Sequence, residues 1–578
     1  MPAAVATAPA DDRGAATGPD PSLRPPWDRR RLLLVAVAVG LVLATAWSWV
    51  ALGMSVTVVF DGAGDVVNLL GRMLPPRFVD VGRIVDLALE TVFMALLGTA
   101  LAVVLSVPLA LFAARNTTPN RFAYGAARGV IVLARAVPDL VFALIFVRAL
   151  GIGPLPGILA LGLHSIGMIG KLFADAVEQI DEGPRDAVIS TGASKNQSLL
   201  TAVLPQVLPS FIATALYRLD INLRISVVLG VVGAGGIGFE LQNTLRQLVY
   251  DRGLGVVLVI VVLVIGVEVA SAALRATLLR DEPMALRGAP KPTIGDRLLR
   301  LLGRARSELT TGAPSFDRQR LSPPWTRERK VKTAYAVGTA LALVVAFVQV
   351  DVAPFELFGA LPDIADTAAS LFPPDFTTVR GDMIDAMVET VQIGLVATFL
   401  GTLLAVPAGL LAARNVAPAR WVYSASRLFL VLERSIPELI LAIIFVAAIG
   451  LGPVPGVFAL ALGTLGFMAK LVADSVEEIA PGPREAVFAT GATRLQETAT
   501  SVVPQAFPAF VSSFLYVLDV NIRTATILGI VGGGGIGFLL FNSLRTLNFE
   551  VTGAILVMIF VVVYGIERLS GWVRKHLI

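Results

Sequence analysis

The sequence predicts an all-α, polytopic membrane protein of about 12 transmembrane helices arranged as two tandem six-helix repeats, and three observations carry that expectation. The 578 residues are 55% hydrophobic and 16% charged, with mean hydropathy +0.77, far from a soluble average. Several apolar runs approach the roughly 20 residues that cross a bilayer. The chain also repeats itself: Arg115-Asn116 matches Arg414-Asn415, Pro138 matches Pro437, Lys171 matches Lys470 and Asn243 matches Asn542, all 299 residues apart. Two equivalent halves with their termini on one side imply an even number of spans in each and a pseudo-twofold axis along the membrane normal.

Taken in order, residues 1–28 read as a disordered tail rich in Ala, Pro, Gly, Asp and Ser, too polar to pack. Arg29-Arg30-Arg31 then precede an apolar run from Leu32 to about Leu52 that has the profile of a signal peptide, with Ala44-Thr45-Ala46 as a cleavage site. The second half excludes that reading. PPWTRERK and the run from Ala334 to Val348 repeat PPWDRRR and its run in mid-chain, so both are first spans. The first repeat, 29–277, is expected to span at 32–53, 86–113, 126–150, 155–178, 206–232 and 255–277; the second, 327–578, begins spanning near 331.

The joint, with its linker at 278–326, is basic: Arg275 to Lys332 holds 14 basic and 6 acidic residues. By the positive-inside rule that side is cytoplasmic, with both termini, in the plasma membrane of a prokaryote. The pI near 9.4 therefore reflects loops facing lipid headgroups rather than a nucleic-acid surface. IGDRLLRLLGRARSEL, Ile294 to Leu309, reads as an amphipathic helix lying on those headgroups.

Between the fourth and fifth spans of each half lies a polar stretch, GPRDAVISTGASKNQSLLTAVLPQVLP from Gly183 and GPREAVFATGATRLQETATSVVPQAFP from Gly482. Each reads as one short helix opened by Gly-Pro and a second beginning after Gly192 or Gly491. The second is expected to end before Pro205 or Pro504, whose rings do not continue a helix begun upstream. A polar helix-turn-helix between apolar runs sits outside the bilayer and offers a docking surface.

These stretches resemble the coupling motif of ABC importer permeases, an E-A-A triplet followed by Gly and a hydrophobic-x-Leu-Pro ending. Asp186-Ala187-Val188, Gly192 and Leu204-Pro205 match in the first half; Glu485-Ala486-Val487, Gly491 and Val503-Pro504 match in the second. LYRLDINLRISVVLGVVGAGGIG and LYVLDVNIRTATILGIVGGGGIG look more specifically like phosphonate and phosphate importer permeases. The resemblance implies a type I permease fold, two ABC ATPase subunits gripping Arg185 to Pro205 and Arg484 to Pro504, and an external substrate-binding protein. ATP and Mg would be bound by the partner ATPases, and this chain would hold no cofactor.

Charges inside spans are costly, by about 2.5 to 3.5 kcal/mol each, so they are informative. Asp220, Asn222 and Arg224 recur as Asp519, Asn521 and Arg523, with acid and arginine four apart on one helix face. Either each Asp neutralises its Arg for insertion, or these faces line the route of an anion. Arg135 with Asp139 and Arg434 with Glu438 repeat the spacing around Pro138 and Pro437, where the proline marks a kink or helix start and structural pairing is expected near the cytoplasmic end of the third span. Glu90-Thr91 and Glu389-Thr390 read as interfacial caps at the start of the second span. His164 stands opposite Gly463 and reads as a packed core histidine.

The glycine runs, Gly233, Gly235, Gly236 and Gly532, Gly534, Gly535, close the fifth spans and allow tight turns; in the resembled family they lie by the external gate. GAGGIG lacks the βαβ unit of a dinucleotide site, and the short helices after each run are expected to meet the binding protein. GMIGK, Gly167 to Lys171, is not a Walker A motif, so the chain does not hydrolyse ATP by itself. No catalytic constellation recurs in both halves, zero cysteines exclude thiol ligands, and His164 and His576 make no metal cluster.

The reading is the translocating subunit of an importer for phosphonate, phosphite or phosphate. A methionine-like or quaternary-amine substrate, an intramembrane enzyme acting on lipid phosphate, and a polytopic scaffold are the alternatives.

Overall fold

The computed structural model describes residues 29–278, 325, 327–350, 354–378 and 380–577. The expected tail, nearly all of the linker and the amphipathic helix from Ile294 to Leu309 lie outside the described residues.

Every regular element among the described residues is helical. Half 1 runs α1 (Arg29–Ala51), α2 (Val56–Met73), α3 (Val81–Ala113), α4 (Arg121–Ala136), α5 (Asp139–Leu150), α6 (Pro154–Glu178), α7 (Glu182–Ser190), α8 (Lys195–Ser198), α9 (Leu204–Val231), α10 (Ile237–Arg246) and α11 (Tyr250–Leu278). Half 2 repeats the order as α12 (Arg327–Gln349), α13 (Pro354–Ala369), α14 (Arg380–Leu411), α15 (Arg420–Arg434), α16 (Glu438–Ile449), α17 (Pro453–Glu477), α18 (Pro481–Ala489), α19 (Arg494–Glu497), α20 (Val503–Leu528), α21 (Ile536–Arg545) and α22 (Phe549–Leu577). Among the described residues nine helices are long and apolar enough to cross a membrane, or eleven when two bent pairs count as one span each.

The third span bends where Pro138 marks a kink or helix start: the proline removes a helical N–H and starts α5 afresh, and the axis turns by 86°. Two departures from the sequence reading also matter for function. The helix after Gly192 does not stop at Pro205 but runs on from Lys195 to Val231. It does so through a π turn, Leu199–Val203, whose Leu204 N–H donates to the Leu199 carbonyl five residues back. The widened turn makes room for a proline that lacks the next bond, and Thr498–Val502 repeats the device before Pro504. The second departure is α2 with α13, absent from the sequence reading. Ser55 caps α2 by accepting from Val58 N at 3.2 Å, and its inner face buries Gly62, Leu69 and Met73.

The halves exchange their first helices. Leu41 and Ala44 of α1 pack with Leu395, Leu518 and Ile522 of half 2, while α12 lies on α3. Gly62 faces Ile449 and Phe458, and a Cβ there would come within 3.1 Å of both. In lipid such contacts gain by close packing rather than by excluding water. The same logic brings α3 against α6, where a Cβ on Gly98 would lie 2.7 Å from that of Leu161.

Candidate functional site

At one end of the bundle each half presents a corner. Asp181 caps α7 by accepting from Gly183 N at 2.9 Å, and neither α7 nor α18 buries a single residue. Gly192 and Gly491 close the corners at φ +84° and +81°, with nothing within 4 Å of a built Cβ. The glycines are thus needed for the left-handed backbone and not for space. Ser194 with Gln197, and Thr493 with Gln496, then form reciprocal capping boxes. Asp186, Ala187, Glu485, Ala486, Pro205 and Pro504 are all exposed.

Each corner is tied to the loop after the second span. Asn116 donates to the Val177 carbonyl at 2.7 Å, and Asn415 to that of Val476 at 2.7 Å. Arg128 bridges the Ala113 carbonyl (2.8 Å) and Glu178 (3.1 Å), as Arg427 bridges those of Ala412 (2.8 Å) and Glu477 (3.0 Å). The last tie differs. Arg185 pairs with Glu182 at 2.9 Å, and Glu182 also accepts from Asn116 at 3.0 Å; Arg484 instead pairs with Glu497 and donates to the Asn415 carbonyl at 2.8 Å. The Asn116 amide, with help from Arg185, holds the Glu182 carboxyl below its usual range.

At the opposite end all six glycines of the two runs have positive φ, from +72° to +101°. Glu90 and Thr91 do not cap their own helix, because α3 starts at Val81, well before them. They cap α10 instead: Gly236 N donates to Glu90 at 3.2 Å and Ile237 N to Thr91 Oγ1 at 2.8 Å. Thr390 accepts from Ile536 N at 2.8 Å in the same way. Glu240 of α10 sits between Arg252 (2.6 Å) and Arg83 (3.2 Å), where half 2 has Leu539.

Between these ends the charged residues meet along the seam of the two halves. Asn222 and Asn521 are committed to interhelical bonds: Asn222 joins Thr99 (2.9 Å) and Ser165 (3.1 Å), and Asn521 joins Thr398 (2.8 Å) and Thr464 (2.6 Å). The expected four-residue pair occurs in half 2, where Arg523 reaches Asp519 at 2.7 Å. In half 1 Asp220 turns to Arg275 (3.2 Å) and Arg224 to Glu268 (3.6 Å). Arg135 and Asp139 do not pair, since the Pro138 bend destroys the helical register; the Asp139 carboxylate accepts from Leu140 N at 2.8 Å. Arg135 crosses to half 2 and meets Glu567 at 3.0 Å, which Arg523 also approaches at 3.4 Å. On the pseudo-symmetric side Arg224 meets Glu268, and Arg434 stands where half 1 has Arg135. Arg135 and Arg523 thus converge on Glu567, and Arg224 Nε and Arg523 Nε are buried without a hydrogen-bond partner.

A family model described as the inner membrane component of binding-protein-dependent transport systems matches residues 106–280 and 405–576. The chain belongs to that family. Each match takes in one corner, one glycine turn and residues of both arginine clusters, and leaves out the exchanged first helices. Among the relatives of this permease is a Mycolicibacterium smegmatis protein named phosphate-import permease PhnE, 50% identical over 531 residues, which cover 91% of this chain and 92% of that one. A phosphite transport system permease of Stutzerimonas stutzeri, PtxC, is 45% identical over 38% of this chain and 81% of its own length. A protein of Haemophilus influenzae named as a probable D-methionine permease is 28% identical over 32% of this chain and 92% of its own. The chain is a multi-pass permease subunit of the phosphate and phosphonate type, with two permease copies fused.

The sequence reading passed over two sets of permease residues. Glu268 and Glu567 were legible, being charges in the last span 299 residues apart. Arg218 was legible as the break in the repeat, LYRLD against LYVLD.

Proposed function

We propose that the chain forms the translocation pathway of an ABC importer that carries phosphate, phosphite or phosphonate into the cytoplasm. The observation that carries this reading is the pair of arginine clusters at the seam, which place cationic donors with open valences where two rigid halves meet. Arg135, Arg224, Arg434 and Arg523 would attract the anion, since a guanidinium offers directional N–H groups to an oxyanion. Burial in low dielectric strengthens that attraction. Asp220 and Asp519 balance the charge so that the helices insert, and Asn222 and Asn521 hold the spans together around them.

The corners at Gly192 and Gly491 are the surfaces for two ABC ATPases, which would bind ATP and Mg, and they lie on the cytoplasmic side with both termini. The glycine turns are the external gate, and α10 and α21 stand where a substrate-binding protein delivers its cargo. Closing of the ATPases on each other would move the corners, and rigid α9 and α20 would carry that movement to the seam.

The test is uptake of radiolabelled phosphate by cells whose other phosphate importers are deleted. Competition by phosphite and methylphosphonate, without competition by methionine or betaine, is the expected outcome. Competition by methionine or betaine alone would replace the substrate, and uptake unaffected by loss of the ATPase would end the importer reading.

A further inference from the structure

The bend of the third span is one place where the two halves stop being copies. Around it half 1 carries Ala134, Asp139, His164, Ser165, Met168 and Arg218, and the positions 299 residues on carry Glu433, Glu438, Gly463, Thr464, Phe467 and Val517. All six differ, although the helices that bear them follow in the same order.

In half 1 the change installs a cation with an open donor. Arg218 is 3% exposed. Its Nε donates to Ser165 Oγ at 2.9 Å and its Nη1 contacts Met168 Sδ at 3.3 Å, while Nη2 is buried with no partner. Two nitrogens clamp the plane of the guanidinium and leave the third free, an arrangement that bears the full desolvation of that N–H unless a ligand meets it. His164 is hydrogen-bonded to the Val137 carbonyl at 3.1 Å.

In half 2 the change removes the cation and adds acid. Val517 takes the place of Arg218. Glu438 fills the space left by the missing histidine, since a Cβ on Gly463 would lie 2.6 Å from its Cγ. Glu433 lays its carboxylate over Gly466, with both oxygens buried and unpartnered. Neither carboxyl offers an anion a cationic donor, and the two side chains fill the space of the bend.

We propose that the transported oxyanion is held once per chain, off the pseudo-twofold axis, in the bend of half 1 with Arg218 Nη2 as its donor, and that Glu433 and Glu438 close the equivalent bend of half 2. The proposal rests on the reading that the chain moves a phosphorus oxyanion. A tetrahedral anion suits a guanidinium fixed in one plane, because directional N–H groups then select it over a spherical one.

The test is equilibrium binding of radiolabelled inorganic phosphate to the chain purified with its ATPase subunits and without the binding protein. One phosphate per chain is expected, displaced by phosphite. Arg218→Val weakens it at least tenfold, Arg218→Lys recovers most of the loss, and Val517→Leu leaves it unchanged. If Arg218→Val does not accumulate, Ser165→Thr with Met168→Phe, which copies the half 2 clamp, should weaken binding in the same direction. Two phosphates per chain, or affinity unchanged by Arg218→Val or by the clamp variant, overturns the proposal. So does a chain that supports phosphate uptake but binds none in this assay. A chain that supports no uptake of any phosphorus oxyanion overturns the substrate reading beneath it instead.

Discussion

At the first corner Arg185 pairs with Glu182, three residues before it, on a carboxylate that is nearly half exposed. At the second Arg484 pairs with Glu497, thirteen residues after it and 4% exposed. The exchange is complete, because half 2 has Pro481 where Glu182 stands and half 1 has Ser198 where Glu497 stands. Ser198 Oγ is accordingly buried without a partner. The arginine, the turn glycine and the ties to Asn116 and Asn415 are common to both corners. What the backbone requires is an arginine folded back against the loop after the second span; which helix supplies its acid is free to change.

The largest effect expected is on what the corners share. Gly192→Trp with Gly491→Trp, which places a bulky side chain and a strained φ in both docking surfaces, should abolish ATP-coupled uptake while the chain still inserts and purifies normally. Normal uptake by that variant would remove the coupling role from both corners at once. The single variants sharpen the comparison: unequal losses would mean that the ATPases grip the two corners differently.

A smaller effect should separate the corners. Arg484→Ala strands a buried carboxylate and should destabilise the detergent-solubilised chain by about 3 kcal/mol. Arg185→Ala loses a partly exposed pair and should cost about 0.5 kcal/mol. Thermal unfolding of the two variants side by side reads the difference. Equal losses would show that burial of Glu497 is not what distinguishes the halves. Rebuilding the first lock in the second half, with Pro481→Glu and Glu497→Ser, should recover most of the stability that Glu497→Ser alone loses.

The smallest effect is on acid sensitivity. The Glu182 carboxyl titrates below its ordinary value of 4.5 because the Asn116 amide and Arg185 favour its charged form. Its contribution is therefore complete above the unfolded value and fades as pH falls through the lowered one. Hydrogen exchange, corrected for its intrinsic pH dependence, should show α7 loosening in that acid range. Glu497 replaces this carboxyl in half 2 and lies outside α18, so loosening of the two helices in step would refute a local cause at Glu182.

Much of the architecture was legible because duplication doubles every signal. A lone Gly-Pro-Arg-acid-Ala stretch is an ordinary loop helix, whereas two of them 299 residues apart, each between apolar runs, mark a surface that both halves present. The seam was legible as residue types, since arginine and aspartate in a span are too costly to be incidental. Their partners were not. Asp220 and Arg224 stand at the same spacing as Asp519 and Arg523, yet only the second pair closes, because Arg275 captures the first acid and Glu268 the first arginine. Glu90 and Thr91 were visible as polar residues in an apolar run. Their service to α10, 146 residues away, was not, because a cap supplied from another helix leaves no local spacing.

By itself, then, the sequence determined that this is a helical membrane protein of two fused permease repeats, and where its turns, corners and intramembrane charges fall along the chain. Those properties follow from hydropathy, proline, glycine and repetition, all of which act over a few residues. Tertiary structure alone decided that α1 packs against the other half and that Arg135 pairs across the seam with Glu567. It also decided that the arginine of each corner takes a different acid. An apolar helix in lipid gains by packing on any surface of complementary shape, and a charge in low dielectric takes whichever counter-charge the packed helices bring within reach. Neither choice is written in the local order of residues.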